Sequence, residues 1–231
     1  VEATDLVILA TPVGAFARHL QTIGPALRRG TTVTDVGSTK ATVVRTAERI
    51  LGRGGPFVGS HPMAGSEQKG VAFARADLFT GATCILTPTT HSPAATVRRL
   101  ENFWAALGMR TVRMTPAAHD RALARVSHLP HALASLLTML PTRKDLDVSA
   151  TGFRDTTRLA GGDPEMWRDI FLTNRRAVLD AIDRMDEQLY RFRDLVDLGD
   201  ADGLEKFLAR AKHRRDRMIA SHPIERRIAA E

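Results

Sequence analysis

Through the first half of the chain, short apolar runs alternate with stretches of helical period. DLVILA, from Asp5 to Ala10, reads as a buried strand, and the segment from Val13 keeps a helical period until Pro25 and Gly30. TTVTDVG, from Thr31 to Gly37, predicts a second strand. The STKATVVRTAERILG that follows predicts a helix with Ser38 or Thr39 at its N-cap and Gly52 past its end. PFVGS, ATCILTP (Ala82 to Pro88) and RTVRM predict three more strands. Between the last two, SPAATVRRLENFWAALG predicts a helix capped by Ser92, with Pro93 at its first position. Strands that are apolar on both faces and alternate with helices imply a parallel sheet covered on both sides.

The pattern changes after Thr115 and Pro116. Leu123, Val126, Leu129, Leu133, Leu136, Leu137 and Leu140 recur at helical spacing, and Pro130 removes one backbone donor among them, which predicts a kink. A loop around Pro141 to Asp147 and a short helix ending at Gly161 and Gly162 come next. Asp163, Pro164 and Glu165 form a helix-start signal, and the apolar pattern then runs from Trp167 to Val196 as one long helix. A helix of that length packs against another domain or subunit. A last helix is expected over about Asp202 to Ile219. The fold class expected is α/β: a doubly wound parallel sheet over residues 1–116, followed by an all-helical domain over residues 117–231.

Composition narrows the choice. With 231 residues, 43% apolar and 26% charged, the chain can bury a core and does not read as disordered. No apolar run approaches the roughly 18 residues of a membrane span, and no basic and apolar leader opens the sequence, so no membrane partner is expected and a cytoplasmic location is. Cys84 is the one cysteine and lies in the apolar run TCIL, where a buried, unreactive thiol is expected. Lys and Arg number 33 against 26 Asp and Glu, a net charge of +7 that suits nucleic acid and small anionic substrates equally. The densest basic run, RAKHRRDRM from Arg210 to Met218, contains no aromatic residue. It reads as a solvated helix face, and no nucleic-acid partner is expected.

In an open parallel sheet, ligands bind beyond the carboxyl ends of the strands. Polar turns leave those ends at Thr11 and Pro12, at Gly37 and Ser38, and at Ser60 and His61, so the topology sends Ser38 and His61 to one crevice. A neutral imidazole beside a hydroxyl is a candidate proton acceptor, and Pro62 holds the His61 backbone extended. A plain helix cap and a plain turn residue are the alternative. In the helical half, His128 and His131 of SHLPH share a face next to Pro130. The HExxH zinc pattern is missing and no cysteine pair assists, so these histidines read as polar lining of a cleft and no metal is expected. Arg154 and Arg158 lie four apart beside Asp155 and Thr157; either could grip a carboxylate in bidentate fashion or pair on the surface with Asp155 or Asp169. The G-x-G-x-x-G fingerprint is absent, since GRGGPF at Gly52 lacks the third glycine and precedes a strand.

Seven segments, in one order, resemble the prephenate and arogenate dehydrogenase family: LATPV, DVGSTK, GSHPMAGSE, ILTPT, the pair His119 and Asp120, SHLPH, and FRDTTRLAGGDPEMWRDI. The resemblance runs from about Asp5 to Ile219. It implies a Rossmann-type nucleotide-binding part followed by a helical substrate-binding and dimerisation domain, and hence a homodimer. It also implies oxidation of a small cyclohexadienyl substrate, prephenate or arogenate, with NAD or NADP (NAD favoured). The substrate loses carbon dioxide and becomes aromatic, a step of tyrosine biosynthesis. By this resemblance His61 takes the proton of the ring hydroxyl while hydride leaves, and Ser38 holds that hydroxyl and the histidine in register. Glu67 stands at the mouth of the site, His128 and His131 line the cleft, Arg158 binds a substrate carboxylate, and Asp155 and Trp167 support that region. Thr11, Pro12 and Val13, with Ser38, touch the cofactor.

The chain departs from the family's pattern at its start. The first strand, the glycine-rich turn and the acidic residue for the ribose do not precede Val1, so the Rossmann sheet is expected to be partial and the chain a fragment. Without the phosphate cradle of a glycine-rich helix start, weak or no binding of the cofactor by this polypeptide alone is expected. A helical dimerisation module without catalysis is the reading from a different class. No regulatory domain is expected beyond Ile219.

Overall fold

A computed structural model describes residues 4–64 and 71–221. Strands β1 (Leu6–Leu9) and β2 (Thr32–Asp35) pair in parallel, with Leu6 opposite Thr32 and Leu9 opposite Asp35. Helix α1 (Phe16–Ile23) lies between them in sequence, and α2 (Ala41–Leu51) follows β2. Phe57 then bridges in parallel to Val33, and the chain enters β3 (Gly59–Met63). Strand β4 (Thr83–Thr87) runs antiparallel to β3, and β5 (Arg110–Arg113), reached through helix α3 (Ala94–Ala106), lies parallel to β4.

The α/β class expected from the sequence holds, with one correction to the all-parallel sheet. A parallel neighbour needs a crossover, usually a helix, whereas an antiparallel one does not. Between Met63 and Thr83 the only helical turn among the described residues is Val71–Phe73, so β4 returns against β3. His61 is therefore not in a loop beyond a strand end. It sits in the middle of β3 opposite Ile85, with Pro62 opposite Cys84. Pro62 is tolerated because β4 is the one strand paired with β3 among the described residues, which leaves an edge where no N–H is required.

Successive side chains of a strand point to opposite faces, and Phe57 and Val58 divide accordingly. Phe57 joins Leu9, Phe16, Leu20 and Val33 with Val43, Val44 and Ala47 of α2. Val58 joins Cys84, Leu86, Val97, Leu100 and Trp104 on the α3 side. Both faces are thus covered, as the doubly apolar strands require. Cys84 is fully buried, and burial pushes its thiol up to about 12.

Helix α4 (Pro116–Leu123) starts at Thr115, whose hydroxyl accepts from the Ala118 N–H at 3.2 Å. A π-helical turn, Ala124–His128, leads into α5 (Leu129–Thr138). The kink expected at Pro130 takes this form: the Leu129 N–H reaches back to the Ala124 carbonyl, and the widened turn takes up the register that the missing Pro130 donor would break. The loop expected around Pro141 contains a short helix, α6 (Arg143–Leu146), closed by a capping box of Thr142 and Asp145. Helix α7 (Thr151–Thr157) continues as a 3₁₀ turn, Arg158–Gly161. Helix α8 (Pro164–Thr173) begins where expected, with the Asp163 carboxylate accepting from the Met166 N–H at 2.8 Å. The single helix expected from Pro164 to Val196 is interrupted at Asn174 (φ −111°, ψ 26°) and resumes as α9 (Arg175–Asp197). Helix α10 (Ala201–Ser221) is the last.

The chain divides into two compact units, Val1–Leu179 and Asp180–Glu231, so the change of pattern at residues 116 and 117 lies inside the first. In the second unit α9 ends in a Schellman motif. Gly199 takes φ +63°, its N–H bonds the Val196 carbonyl, and the Asp200 N–H bonds the Leu195 carbonyl. The rings of Phe192 and Phe207 then approach to 5.5 Å between α9 and α10. No described helix is long and apolar enough to cross a membrane.

Candidate active site

The turn that leaves β2 is built on Asp35. Its buried carboxylate accepts from the Gly37 N–H at 2.8 Å and the Ser60 N–H at 3.2 Å, and it forms an ion pair with the equally buried Lys40. A side chain at position 37 has no room, because a Cβ would stand 2.9 Å from Asp35 Oδ2 and 3.3 Å from the Phe16 ring. Burial raises the Asp35 pKa and lowers that of Lys40, and the attraction between them offsets only part of either shift. Next to the pair, the hydroxyls of Thr34 and Ser60 lie 2.6 Å apart, and Trp104 Nε1 donates to Ser60 Oγ at 3.2 Å. β2 is thereby locked to β3 at the residue preceding His61.

His61 Nδ1 lies 2.8 Å from His119 Nε2, and His119 Nδ1 lies 2.8 Å from Asp120 Oδ1. The Asp120 carboxylate also accepts the N–H groups of Lys40 (2.7 Å) and Ala41 (2.8 Å). It thus caps α2 from outside, whereas the sequence pointed to Ser38 or Thr39. Thr39 instead shares a hydrogen bond with Thr173 at 2.9 Å. The Asn174 side chain, at the break between α8 and α9, donates to the Asp120 carbonyl at 2.8 Å and lies 3.1 Å from His128 Nδ1.

Burial holds His61, His119, His128 and His131 below the ordinary imidazole range, His128 at about 4. For His61, burial is followed by repulsion from Lys40, His119 and His128, and the ring lies well below its usual value. Asp120 pulls His119 the other way without reversing its shift. All four rings are therefore neutral at neutral pH.

Two cavities meet at Met166. The first, of about 240 Å³, is lined by Thr11, Pro12, Val13, Gly37 and Ser38 on the sheet side and by Asp163 and Asp169 on the other. The second, of about 420 Å³, is lined by His61, Pro62, His131, Arg158, Gly162 and Trp167. His131 stacks on Trp167 at 3.6 Å between ring centroids with 11° between planes, giving that cavity a flat wall. A larger cavity of about 720 Å³ near Gly30 and Gly54 presents only Arg28 and Arg29 as ionisable groups, with no acid or base.

Placed in this frame, the residues expected to act together separate into groups. Ser38 and His61 line adjoining cavities, with no hydrogen bond between them among the described residues. His131, Arg158 and Trp167 join His61. His128 does not line the cleft but sits behind it, 1% exposed, edge-on to Trp167 at 6.1 Å. Asp155 is exposed on α7 and lines neither cavity. Glu67 lies outside the described residues. Among the described residues, no three His, Cys, Asp or Glu side chains are grouped to hold a metal.

Sequence reasoning passed over Asn174 and gave no role to the other supporting residues, although Asp35 and Lys40 bound the DVGSTK segment and the His119–Asp120 pair was itself one of the segments that carried the resemblance. The available signal was a His-Asp pair one turn into a helix opened by Thr-Pro, two polar groups on a face that must be buried.

Comparison with known proteins gives the same outline. A family model described as "Prephenate dehydrogenase, nucleotide-binding domain" matches residues 1–113, and one described as "Prephenate dehydrogenase, dimerization domain" matches residues 115–210. The prephenate dehydrogenase of Bacillus subtilis is 37% identical over 225 residues, 94% of this chain and 60% of the relative. The cyclohexadienyl dehydrogenase of Zymomonas mobilis is 33% identical, over 97% of this chain and 78% of the relative. The chain thus spans about three fifths of the length of the Bacillus relative. Among solved structures, the prephenate dehydrogenase of A. aeolicus, in complex with hydroxyphenyl propionate and NAD+, superposes with a TM-score of 0.86 at 36% identity, covering 93% of this chain and 76% of that one. The Synechocystis arogenate dehydrogenase gives 0.83 at 28%, covering 94% and 80%. With both family models matched in order across most of its length, the chain belongs to the prephenate dehydrogenase family.

Proposed function

We propose that this chain carries the catalytic machinery of a prephenate dehydrogenase, which oxidises and decarboxylates prephenate to 4-hydroxyphenylpyruvate with hydride transfer to NAD. One observation carries the reading: a neutral, buried histidine, His61, stands in the wall of a cavity that also holds Arg158 and the stacked pair His131 and Trp167.

Hydride leaves a carbon more readily as its hydroxyl becomes an oxyanion, so a base on that oxygen lowers the barrier. His61 takes the hydroxyl proton, the carbon–hydrogen bond gives up a hydride, and the bond to the ring carboxylate breaks, releasing carbon dioxide and leaving its electron pair in the aromatic ring, whose phenolate oxygen then takes the proton back from His61. Because its pKa lies well below the usual 6.5, His61 is unprotonated across the neutral and mildly acidic range. Arg158 supplies a planar, permanently charged group for a carboxylate, and the stacked rings form a wall for a flat substrate. The oxidised nicotinamide ring, when bound, supplies the hydride acceptor. Its end of the cofactor fits the first cavity, where Gly37 keeps side chains out and Thr11, Pro12, Val13 and Ser38 supply the lining.

Residues 1–116 serve in nucleotide binding and residues 117–231 as the substrate-binding and dimerisation domain of a homodimer. The junction between the two matched family models near residue 114 supports that division. NAD is preferred to NADP because a similar solved structure is a complex with NAD+. Arogenate is the rival substrate, favoured by the Synechocystis neighbour. The test is a spectrophotometric assay with prephenate and arogenate, each with NAD and with NADP. His61→Asn should lower kcat by roughly two to four orders of magnitude with little change in KM. A His61→Asn enzyme with wild-type turnover would overturn the assignment.

A further inference from the structure

The polar groups behind the cavity determine more than burial. An amide nitrogen can only donate, so the Asn174 side chain, 3.1 Å from His128 Nδ1, requires that this nitrogen carry the lone pair. The His128 proton then sits on Nε2, a buried atom without a hydrogen-bond partner among the described residues. At the other end stands Asp120. Its carboxylate already accepts the Lys40 and Ala41 N–H groups, so it can only accept from His119 Nδ1. His119 Nε2 must then accept, His61 Nδ1 must donate, and His61 Nε2 is left bare. That second His61 nitrogen has no partner among the described residues, and the ring borders the cavity.

We propose that Asp120 fixes the tautomers of both histidines in opposite senses, acting as a positioning residue. Its carboxylate works through His119 to leave His61 an acceptor at Nε2, and its backbone carbonyl works through Asn174 to leave His128 a donor at Nε2. The proposal rests on the reading of His61 as the base only for its catalytic consequence, since the tautomers are properties of the protein without substrate or cofactor. The wrong His61 tautomer would present an N–H to the substrate hydroxyl and could not take its proton. A carboxylate that holds a histidine through an intervening hydrogen bond acts on the same principle as the Asp of a catalytic triad, here with one more imidazole in the chain.

The experiment is nitrogen-15 NMR of the histidine side chains in the purified protein at pH 8, with His61→Asn and His128→Asn used to assign the two rings. The wild-type protein should show His61 protonated on Nδ1 and His128 protonated on Nε2. In His119→Phe, His61 should become a mixture of tautomers while His128 keeps its own, and kcat should fall about 10²-fold with KM changed far less. His119→Gln restores an acceptor toward His61 and a donor toward Asp120, so it should recover the Nδ1–H form and most of the lost turnover. His61 protonated on Nε2 in the wild type, or a His61 signal unchanged in a folded His119→Phe, would overturn the proposal. Should His119→Phe fail to fold, the wild-type spectrum alone still decides. The predicted tautomers in a protein that turned over neither prephenate nor arogenate would sink the proposed function and leave this inference standing.

Discussion

Lowering the pH should destabilise the fold through His128, by an amount that follows from its position. The ring is 1% exposed and its Nδ1 is committed to Asn174, so burial holds its pKa at about 4, against about 6.5 in the unfolded chain. The folded value is the lower one, so as pH falls below 6.5 the unfolded chain takes up a proton that the folded chain refuses. Stability is therefore complete above pH 6.5 and is lost as pH falls from there toward 4. At 1.36 kcal/mol per pKa unit the full loss is about 3 kcal/mol, of which about 2 kcal/mol has gone by pH 4.5. Urea unfolding at pH 7 and pH 4.5 measures the total change, to which other groups contribute. His128→Asn isolates the part in question, because its side-chain oxygen can still accept from Asn174 but does not titrate. The variant should lose about 2 kcal/mol less than the wild type between the two pH values, whatever its stability at pH 7. An equal loss in both proteins would refute the assignment of a buried neutral His128.

Two further changes probe the frame around the site. Lys40→Met leaves the Asp35 carboxylate buried with only the Gly37 and Ser60 N–H groups for company, and it should cost about 3–5 kcal/mol in chemical denaturation. Combining it with Asp35→Asn should cost clearly less than Lys40→Met alone, since no charge then remains to be compensated. Gly162→Ala would put a Cβ 2.4 Å from Trp167 Nε1 and 3.0 Å from His131 Cε1, so it should displace the stacked wall and raise the KM for prephenate several-fold while the melting temperature falls by only a few degrees. An unchanged KM would show that the stack does not meet the substrate.

The elements with strong local signals were legible from sequence: the alternation of strand and helix, the Asp163 cap of α8, and the buried thiol of Cys84. Local signals failed where tertiary pairing decided. His61 was read as a loop residue because Pro62 looks like the end of a strand, but among the described residues β3 pairs there with β4 alone, and the proline fits on its other edge. The long helical pattern from Pro164 to Val196 hid a break at Asn174, since a break leaves the apolar spacing on each side intact. What stops the helix there is the pull on the Asn174 side chain from Asp120 and His128, 54 and 46 residues away in sequence. Likewise, Asp120 caps α2 across 80 residues, a relation that no window along the chain contains. His61 stood out at a strand end and Arg158 at helical spacing, while the family resemblance brought in Trp167; one cavity is lined by all three. The groups that hold them in place were harder to see, since a buried Asp or Lys has no sequence pattern of its own.

Those hidden groups form a single chain of contacts. Asp35 holds Lys40 and the turn beneath the first cavity, Asp120 caps the helix that Lys40 begins, and the same Asp120 reaches His61 through His119 and His128 through Asn174. Burying so many polar groups is unfavourable compared with an apolar core of the same volume. Every side chain of the network has a partner, only the Nε2 atoms of His61 and His128 having none among the described residues, and the contacts join four separate stretches of one compact unit, at 35–40, 61, 119–128 and 174. The cavity of Ser38 and that of His61 are thus held by one network, so a charge removed at Asp35 should be felt at the base, and a substitution at Asp120 should disturb both cavities at once. At the cavity end of this network stands His61, where a substitution should change turnover more than stability.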